Sequence, residues 1–335
     1  MSGRLRLAPA LLVVALGVAL VLYMSPSRAG STVNPAPARA VGGVAIPVTD
    51  MERSIAFYST VLFFEKVSDV QTDGPEIESL FGASGGRIRV VTMRLGSEQI
   101  ELVDYGVRRP IAARAPASAH SSEHIAIAVN DLDQALLWLR RNHVTETAAE
   151  PDSAGGVRAV SIEDPDGHAL EILQFQAGKG DARWQRPSDR VFLGIDHAAI
   201  VVGDTETSLR FYRDLLGLRV VGGSDSGTEQ EILNDGPDGR PRVTTLRAAK
   251  GPAIQLLEHP EPGDAKPSPQ SAGDDRVGRS TVLITADATA AAGKLGNASG
   301  GARPAVVSLA DAPLGFRRGF AAEDPDGNGL QLRSR

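Results

Sequence analysis

The sequence has no cysteine. That excludes a disulfide scaffold, thiolate metal sites and cysteine nucleophiles. Any metal must then be held by His, Asp, Glu or Gln. Histidine is scarce, with 6 in 335 residues, so each one carries weight. Aromatic residues make up only 4%. No Gly-rich phosphate loop, Ser-His-Asp arrangement or basic-aromatic patch stands out. A basic excess is also missing. With 35 Lys and Arg against 41 Asp and Glu, the net charge is −6, which argues against a nucleic-acid partner. What is present, 42% hydrophobic and 23% charged residues, is ordinary for globular chains. At about 150 residues per domain, the length predicts two domains.

One uncharged run breaks this evenness. Leu7 to Met24 is 18 residues long and follows Arg4 and Arg6. It sits at the lower limit for a helix crossing a hydrocarbon core of about 30 Å. Ser27-Arg28-Ala29 then places small residues at −3 and −1 of a cleavage point. Residues 1–30 are read as a signal peptide or membrane anchor. The protein is then exported: periplasmic or secreted after cleavage, or anchored with its C-terminal domains outside the cytoplasm. Residues 31–40 read as a linker.

The remainder repeats. Ser54, Phe57 and Tyr58 recur as Ser208, Phe211 and Tyr212, each 154 residues later. Glu163-Asp164-Pro165-Asp166-Gly167 recurs as Glu323-Asp324-Pro325-Asp326-Gly327, 160 later. Each half also repeats inside itself, with Asp50 and Asp131 81 residues apart. A β-rich run ends in Asp50, Asp131 or Asp204, residues that suit helix N-caps. Apolar residues at helical spacing follow, then short alternating strands. The Asp-Pro-Asp-Gly segment reads as a tight structural turn. Four βαβββ units result, grouped as domains 41–176 and 192–335 with 177–191 between them.

This pattern of strand-Asp-helix openings and Asp-Pro-Asp-Gly turns before a final Leu170-Glu171-Ile172 strand resembles the vicinal oxygen chelate superfamily. That superfamily includes glyoxalases, bleomycin-resistance proteins and extradiol dioxygenases. The resemblance implies an α+β fold, with the four units paired into two glyoxalase-like domains of curved mixed sheets, preceded by the N-terminal apolar helix. It also implies a cavity in which one residue from the first strand and one from a late strand of each unit hold a divalent metal.

Strand alternation gives those positions a chemical meaning. His124, Ala126 and Ala128 share one face, opposite Ile125, Ile127 and Val129. Glu101 and Glu171 each lie between aliphatics. On residues alone, such a carboxylate faces either solvent or a polar cavity. The resemblance places Glu101, His124 and Glu171 at ligand positions of the first domain, with Glu101 and Glu171 also expected to serve catalysis. Counting seven residues back from each capping Asp, the matching first-unit residue is Gly43, which cannot ligate. A histidine placed there would be expected to complete the set. The same counting in the second half gives His197, Gln255, Ser280 and Gln331, a weaker set with no carboxylate. One imidazole and two carboxylates suit Mn, Fe, Co, Ni or Zn. The function implied is that of a metal-dependent enzyme of glyoxalase or dioxygenase type, acting on a small molecule with adjacent oxygens. The alternative is a metal-free protein that sequesters a small ligand, as bleomycin-resistance proteins do. Pairing of units within one chain and pairing across a homodimer both stay open.

Overall fold

Each repeat opens with a strand that runs into an Asp-capped helix. The strands are β1 (Ala40–Pro47), β5 (His124–Val129), β9 (Phe192–Val202) and β13 (Ser280–Ile284). The helices are α1 (Met51–Ala56), α3 (Leu132–Arg141), α4 (Thr205–Leu209) and α5 (Ala288–Ser299). Asp50, Asp131 and Asp204 accept from the N–H of Arg53, Gln134 and Thr207 at 3.0, 3.0 and 2.7 Å. Asp287 caps the fourth helix in the same way, accepting from Thr289 at 2.8 Å. Each carboxylate satisfies a first-turn N–H that has no partner inside the helix. The computed structural model describes residues 38–83, 86–106, 123–146, 152–154, 156–221, 242–259, 278–299 and 303–335. The apolar run Leu7–Met24 lies outside them. Among the described residues no helix is long and apolar enough to cross a membrane.

Three strands complete each repeat. They are β2 (Glu65–Thr72), β3 (Ile88–Leu95) and β4 (Glu98–Asp104), then β6 (Asp152–Ala154), β7 (Val157–Glu163) and β8 (Ala169–Phe175). The second half supplies β10 (Arg219–Val220), β11 (Arg242–Arg247) and β12 (Ala253–Glu258), then β14 (Val307–Ser308), β15 (Arg318–Glu323) and β16 (Gly329–Ser334). The first repeat adds a helix, α2 (Pro75–Phe81).

Among the described residues the strands assemble into two eight-stranded mixed sheets. Their orders are β14-β15-β16-β13-β1-β4-β3-β2 and β10-β11-β12-β9-β5-β8-β7-β6. The first repeat therefore shares a sheet with the fourth, and the second with the third. This corrects the expectation that pairing stays within each half. Both edges of β1 are taken, by β13 and β4, and both edges of β5, by β9 and β8. Repeats one and two still associate, but through faces. Ile46, Ile100 and Leu102 pack in one core with Ile125, Ile127 and Ile172, together with Leu132, Leu136 and Leu139 of α3. The aliphatic side of the alternating pattern thus serves contact between sheets and helices, which leaves the other side of each sheet for the site.

The Asp-Pro-Asp-Gly turn does more than connect strands. α1 runs on into a wide π-helical turn over Phe57–Val61, which carries Tyr58 into the core. The Tyr58 hydroxyl donates to Asp164 at 2.9 Å, and Tyr212 donates to Asp324 at 3.0 Å. Each tyrosine pins the helix of one repeat to the turn of the next. Burial pushes the Asp164 carboxyl up, but hydrogen bonds from His168 and Tyr58 and the His168 charge outweigh it and hold it below the usual carboxylate range. Tyr58→Phe is expected to cost about 2 kcal/mol, the scale of a hydrogen bond to a charged group. Urea unfolding at neutral pH measures it. A lowered carboxyl contributes stability above its unfolded value of about 3.9 and loses it as pH falls below that. The difference between parent and variant is therefore expected to shrink in acid.

Candidate metal centre

In the second sheet, β5 and β9 run antiparallel at the centre, with β8 beside β5 and β12 beside β9. Ala126 on β5 pairs with Glu171 on β8 and with His197 on β9. Ala199 on β9 pairs with His124 on β5 and with Gln255 on β12. The four positions His124, Glu171, His197 and Gln255 are thus related in pairs across the β5–β9 seam. His124, Glu171 and His197 are buried, at 3%, 7% and 4% exposure, although their side chains are polar or charged. Polar groups sit in such a place only when they have partners. Four alanines, Ala126, Ala128, Ala159 and Ala199, are buried on this face, packed with Leu173, Val201 and Leu257.

The three side chains converge. Nε2 of His124 lies 3.3 Å from Nε2 of His197. The Oε2 atom of Glu171 lies 3.7 Å from the first and 3.8 Å from the second. A triangle with these sides has a circumradius of about 2.1 Å, inside the range of roughly 2.0–2.2 Å for bonds from a divalent ion to imidazole nitrogen and carboxylate oxygen. The donor set therefore fits a divalent metal. Among the described residues it is the one cluster of three or more His, Asp or Glu with ligand atoms within 4.8 Å of one another.

A bulge shapes the His197 side of the site. The register slips between Ala126–His197 and Ile127–Ile195, leaving Asp196 as an extra residue on β9. A bulge breaks the strict alternation of a strand and re-aims side chains. Here the Asp196 carboxylate reaches Nδ1 of its own neighbour, His197, at 3.0 Å. Trp184 Nε1 donates to the other oxygen of Asp196 at 2.6 Å, and Arg247 lies 3.5 Å from it. Burial pushes the Asp196 carboxyl up, but the hydrogen bonds from His197 and Trp184 and the Arg247 charge outweigh that and hold it below the usual range.

The residues expected to form the site are thus regrouped. His124 and Glu171 come together as read, but their third partner is His197, from the second half. Glu101 lies in the other sheet, where it accepts from Arg333 at 2.5 and 2.7 Å. The positions of that sheet corresponding to the four above are Gly43, Glu101, Ser280 and Gln331. Its centre holds a guanidinium instead of two imidazoles. Arg333 is 3% exposed, bonds Gln331 at 2.6 Å and stacks over Phe316 at 4.6 Å. Ile77, Leu80 and Phe81 of α2 then fill this face against Ala45, Val103 and Val282. Gly43 cannot accept a histidine. Its φ is +136°, and a Cβ would meet the carbonyl oxygen of Gln99 at 2.1 Å.

The readable signal for the true grouping was the distribution of first-strand residues. Units two and three carry His124 and His197, whereas units one and four carry Gly43 and Ser280. A single complete site needs the two histidines in one sheet.

Comparison with known proteins agrees with this architecture. Maize glyoxalase I superposes with a TM-score of 0.57 at 17% identity, covering 88% of this chain and 92% of that one. An inferred dioxygenase of Bacillus subtilis superposes with a TM-score of 0.55 at 14% identity, covering 89% and 86%. At these identities the likeness is one of fold. No curated protein matches the sequence. The family model for the Glyoxalase/Bleomycin resistance protein/Dioxygenase superfamily matches residues 40–172 and again 194–332. With two repeats matched across most of its length, the chain belongs to that superfamily.

Proposed function

We propose that the protein is a divalent-metal-dependent enzyme of the glyoxalase or dioxygenase type, acting on a small molecule with two adjacent oxygens. The observation that supports this is the buried His124–Glu171–His197 triangle, whose circumradius of about 2.1 Å matches metal bonds. Mn, Fe, Co, Ni and Zn all suit two imidazoles and one carboxylate. When bound, such an ion supplies Lewis-acid stabilisation of negative charge on adjacent substrate oxygens.

The chain's own contribution is charge and shape. His124 and His197 are neutral donors, and Glu171 brings the single negative charge of the cluster. A dication so held keeps a net positive charge of one, which favours an anionic oxygen of the substrate. In this reading Glu171, the carboxylate of the cluster, also accepts a substrate proton. Ala126, Ala128 and Ala199 present small, buried side chains beside the cluster. Two histidines and one carboxylate with open positions form the donor set of non-haem iron oxygenases. A fourth donor from Gln255 would instead give a closed set of four. Gln255→Ala separates the two, because metal affinity falls only if Gln255 ligates.

The experiment is metal analysis of the full chain after loading with each of the five ions. About one ion per chain is expected, followed by turnover of catechols under oxygen or of α-oxoaldehyde adducts. A chain that retains no ion overturns the enzyme reading and supports a metal-free binder of small molecules.

We also propose that the protein is exported, on the strength of Arg4, Arg6 and the run Leu7–Met24. A C-terminal reporter that is active only in the cytoplasm is expected to be silent on the full chain. An active reporter overturns export.

A further inference from the structure

The segment between the second and third repeats reads in sequence as a plain connection. The structure gives it a short 3-10 turn, Ala182–Gln185, capped by Asp181. That turn is fastened at two points. Arg183 bonds Glu98 at the start of β4, and Glu98 is 3% exposed. Trp184 bonds Asp196 at 2.6 Å. The Arg183 guanidinium lies 4.0 Å from the Trp184 ring centroid, so the two side chains brace each other. The indole N–H thus arrives in a fixed place, and its target is the bulge residue beside His197.

We propose that Asp196 and Trp184 are positioning residues of the metal centre: the connecting segment, through Trp184, locks Asp196, and Asp196 holds His197 as the Nδ1–H tautomer with its Nε2 lone pair aimed at His124 and Glu171. This rests on the metal reading above. The geometry alone sets the roles. A carboxylate 3.0 Å from Nδ1 has no proton to give while it already accepts from the indole, so His197 must be the donor. A neutral imidazole that donates through Nδ1 leaves Nε2 as its acceptor. Fixing the ring in this way removes the rotational freedom that would otherwise be lost on metal binding, the usual contribution of a group behind a ligand. The bulge is what makes it feasible, since neighbouring residues of a regular strand face opposite ways.

Two readouts test the proposal in the full chain. The first needs no metal. Long-range proton–nitrogen NMR of the imidazoles at alkaline pH is expected to show His197 as the Nδ1–H tautomer in the parent, with that preference lost in Asp196→Ala. The second is affinity for Zn²⁺, measured by competition with a chromophoric chelator. Asp196→Ala is expected to weaken it about 10- to 100-fold. Trp184→Phe, which keeps the ring and removes only the N–H, is expected to weaken it less. Asp196→Asn retains an acceptor oxygen and is expected to recover part of the loss. Thermal unfolding checks that each variant is folded, and Trp184→Phe decides the matter if Asp196→Ala is not. An Nε2–H tautomer in the parent, or Zn²⁺ affinity within about twofold of the parent in both Asp196→Ala and Trp184→Phe, overturns the proposal. A parent with the Nδ1–H tautomer but no affinity for Zn²⁺ overturns the metal reading and leaves the positioning of His197 standing.

Discussion

Arg333→Ala is expected to destabilise the protein by about 3–5 kcal/mol, the cost of breaking a buried ion pair from one side. Arg333 is 3% exposed and donates to both oxygens of Glu101, whose side chain is 15% exposed. Removing the guanidinium leaves a largely buried carboxylate with no counter-charge and opens a void beside Phe316 and Phe81. Arg333→Lys is expected to recover only part of the loss, because an ammonium cannot bond both oxygens in the planar fork that a guanidinium uses. The double variant Arg333→Met with Glu101→Leu removes both charges and keeps the volume. It is expected to recover most of the loss, since well-packed apolar replacement of a buried pair is often neutral or better. It is expected to stay about 1–3 kcal/mol short, because the buried Gln331 oxygen loses its Arg333 donors. Urea unfolding of the parent, the two singles and the double closes this cycle. A single variant within about 1 kcal/mol of the parent would show that Glu101 is satisfied by something other than Arg333. None of these changes is expected to alter metal content, because they lie in the sheet that carries no histidine pair.

This contrast between sheets explains how much of the site was legible. The four-fold count from each capping Asp to its first-strand position holds throughout: Gly43, His124, His197 and Ser280 occupy corresponding places in the two sheets. The period was readable because Asp suits each helix N-cap and the first strands alternate over most of their length. The grouping was not, because an alternating strand shows which side faces a core but not which strand lies on its edge. Glu101 and Glu171 illustrate the limit. They have the same flanking aliphatics and the same place in their units, yet one faces a guanidinium and the other two imidazoles. That difference is set by residues more than 200 positions apart in the case of Glu101 and Arg333. The bulge at Asp196 was equally hidden, since nothing in Ile195-Asp196-His197 marks a register slip. α2 did carry local signals, with Pro75 at its first turn and Gly82 closing it at φ +67°. What its sequence could not show is that it plugs the vacant face.

His197→Ala is expected to lower metal affinity as strongly as His124→Ala, and each by more than the roughly 10- to 100-fold that loss of a supporting residue costs. Both imidazoles contribute one corner of the same triangle, at 3.3 Å from each other and 3.7–3.8 Å from Glu171. Glu171→Gln keeps the shape of the third corner and deletes its charge. It isolates the electrostatic share of binding, which is large when a dication enters a site whose ligands are less than a tenth exposed. Glu101→Gln supplies the matched control. It makes the same chemical change at the corresponding position of the other sheet, and is expected to reduce stability, through the unpaired Arg333, while leaving metal content at the parent level. Elemental analysis of the loaded full chain and of these four variants measures all the outcomes together. Equal losses in Glu101→Gln and Glu171→Gln would show that the site draws on both sheets. Loss in His124→Ala alone would return the centre to the first half of the chain. Loss in His124→Ala, His197→Ala and Glu171→Gln, with Glu101→Gln unchanged, is the pattern that the pairing of the second and third repeats requires.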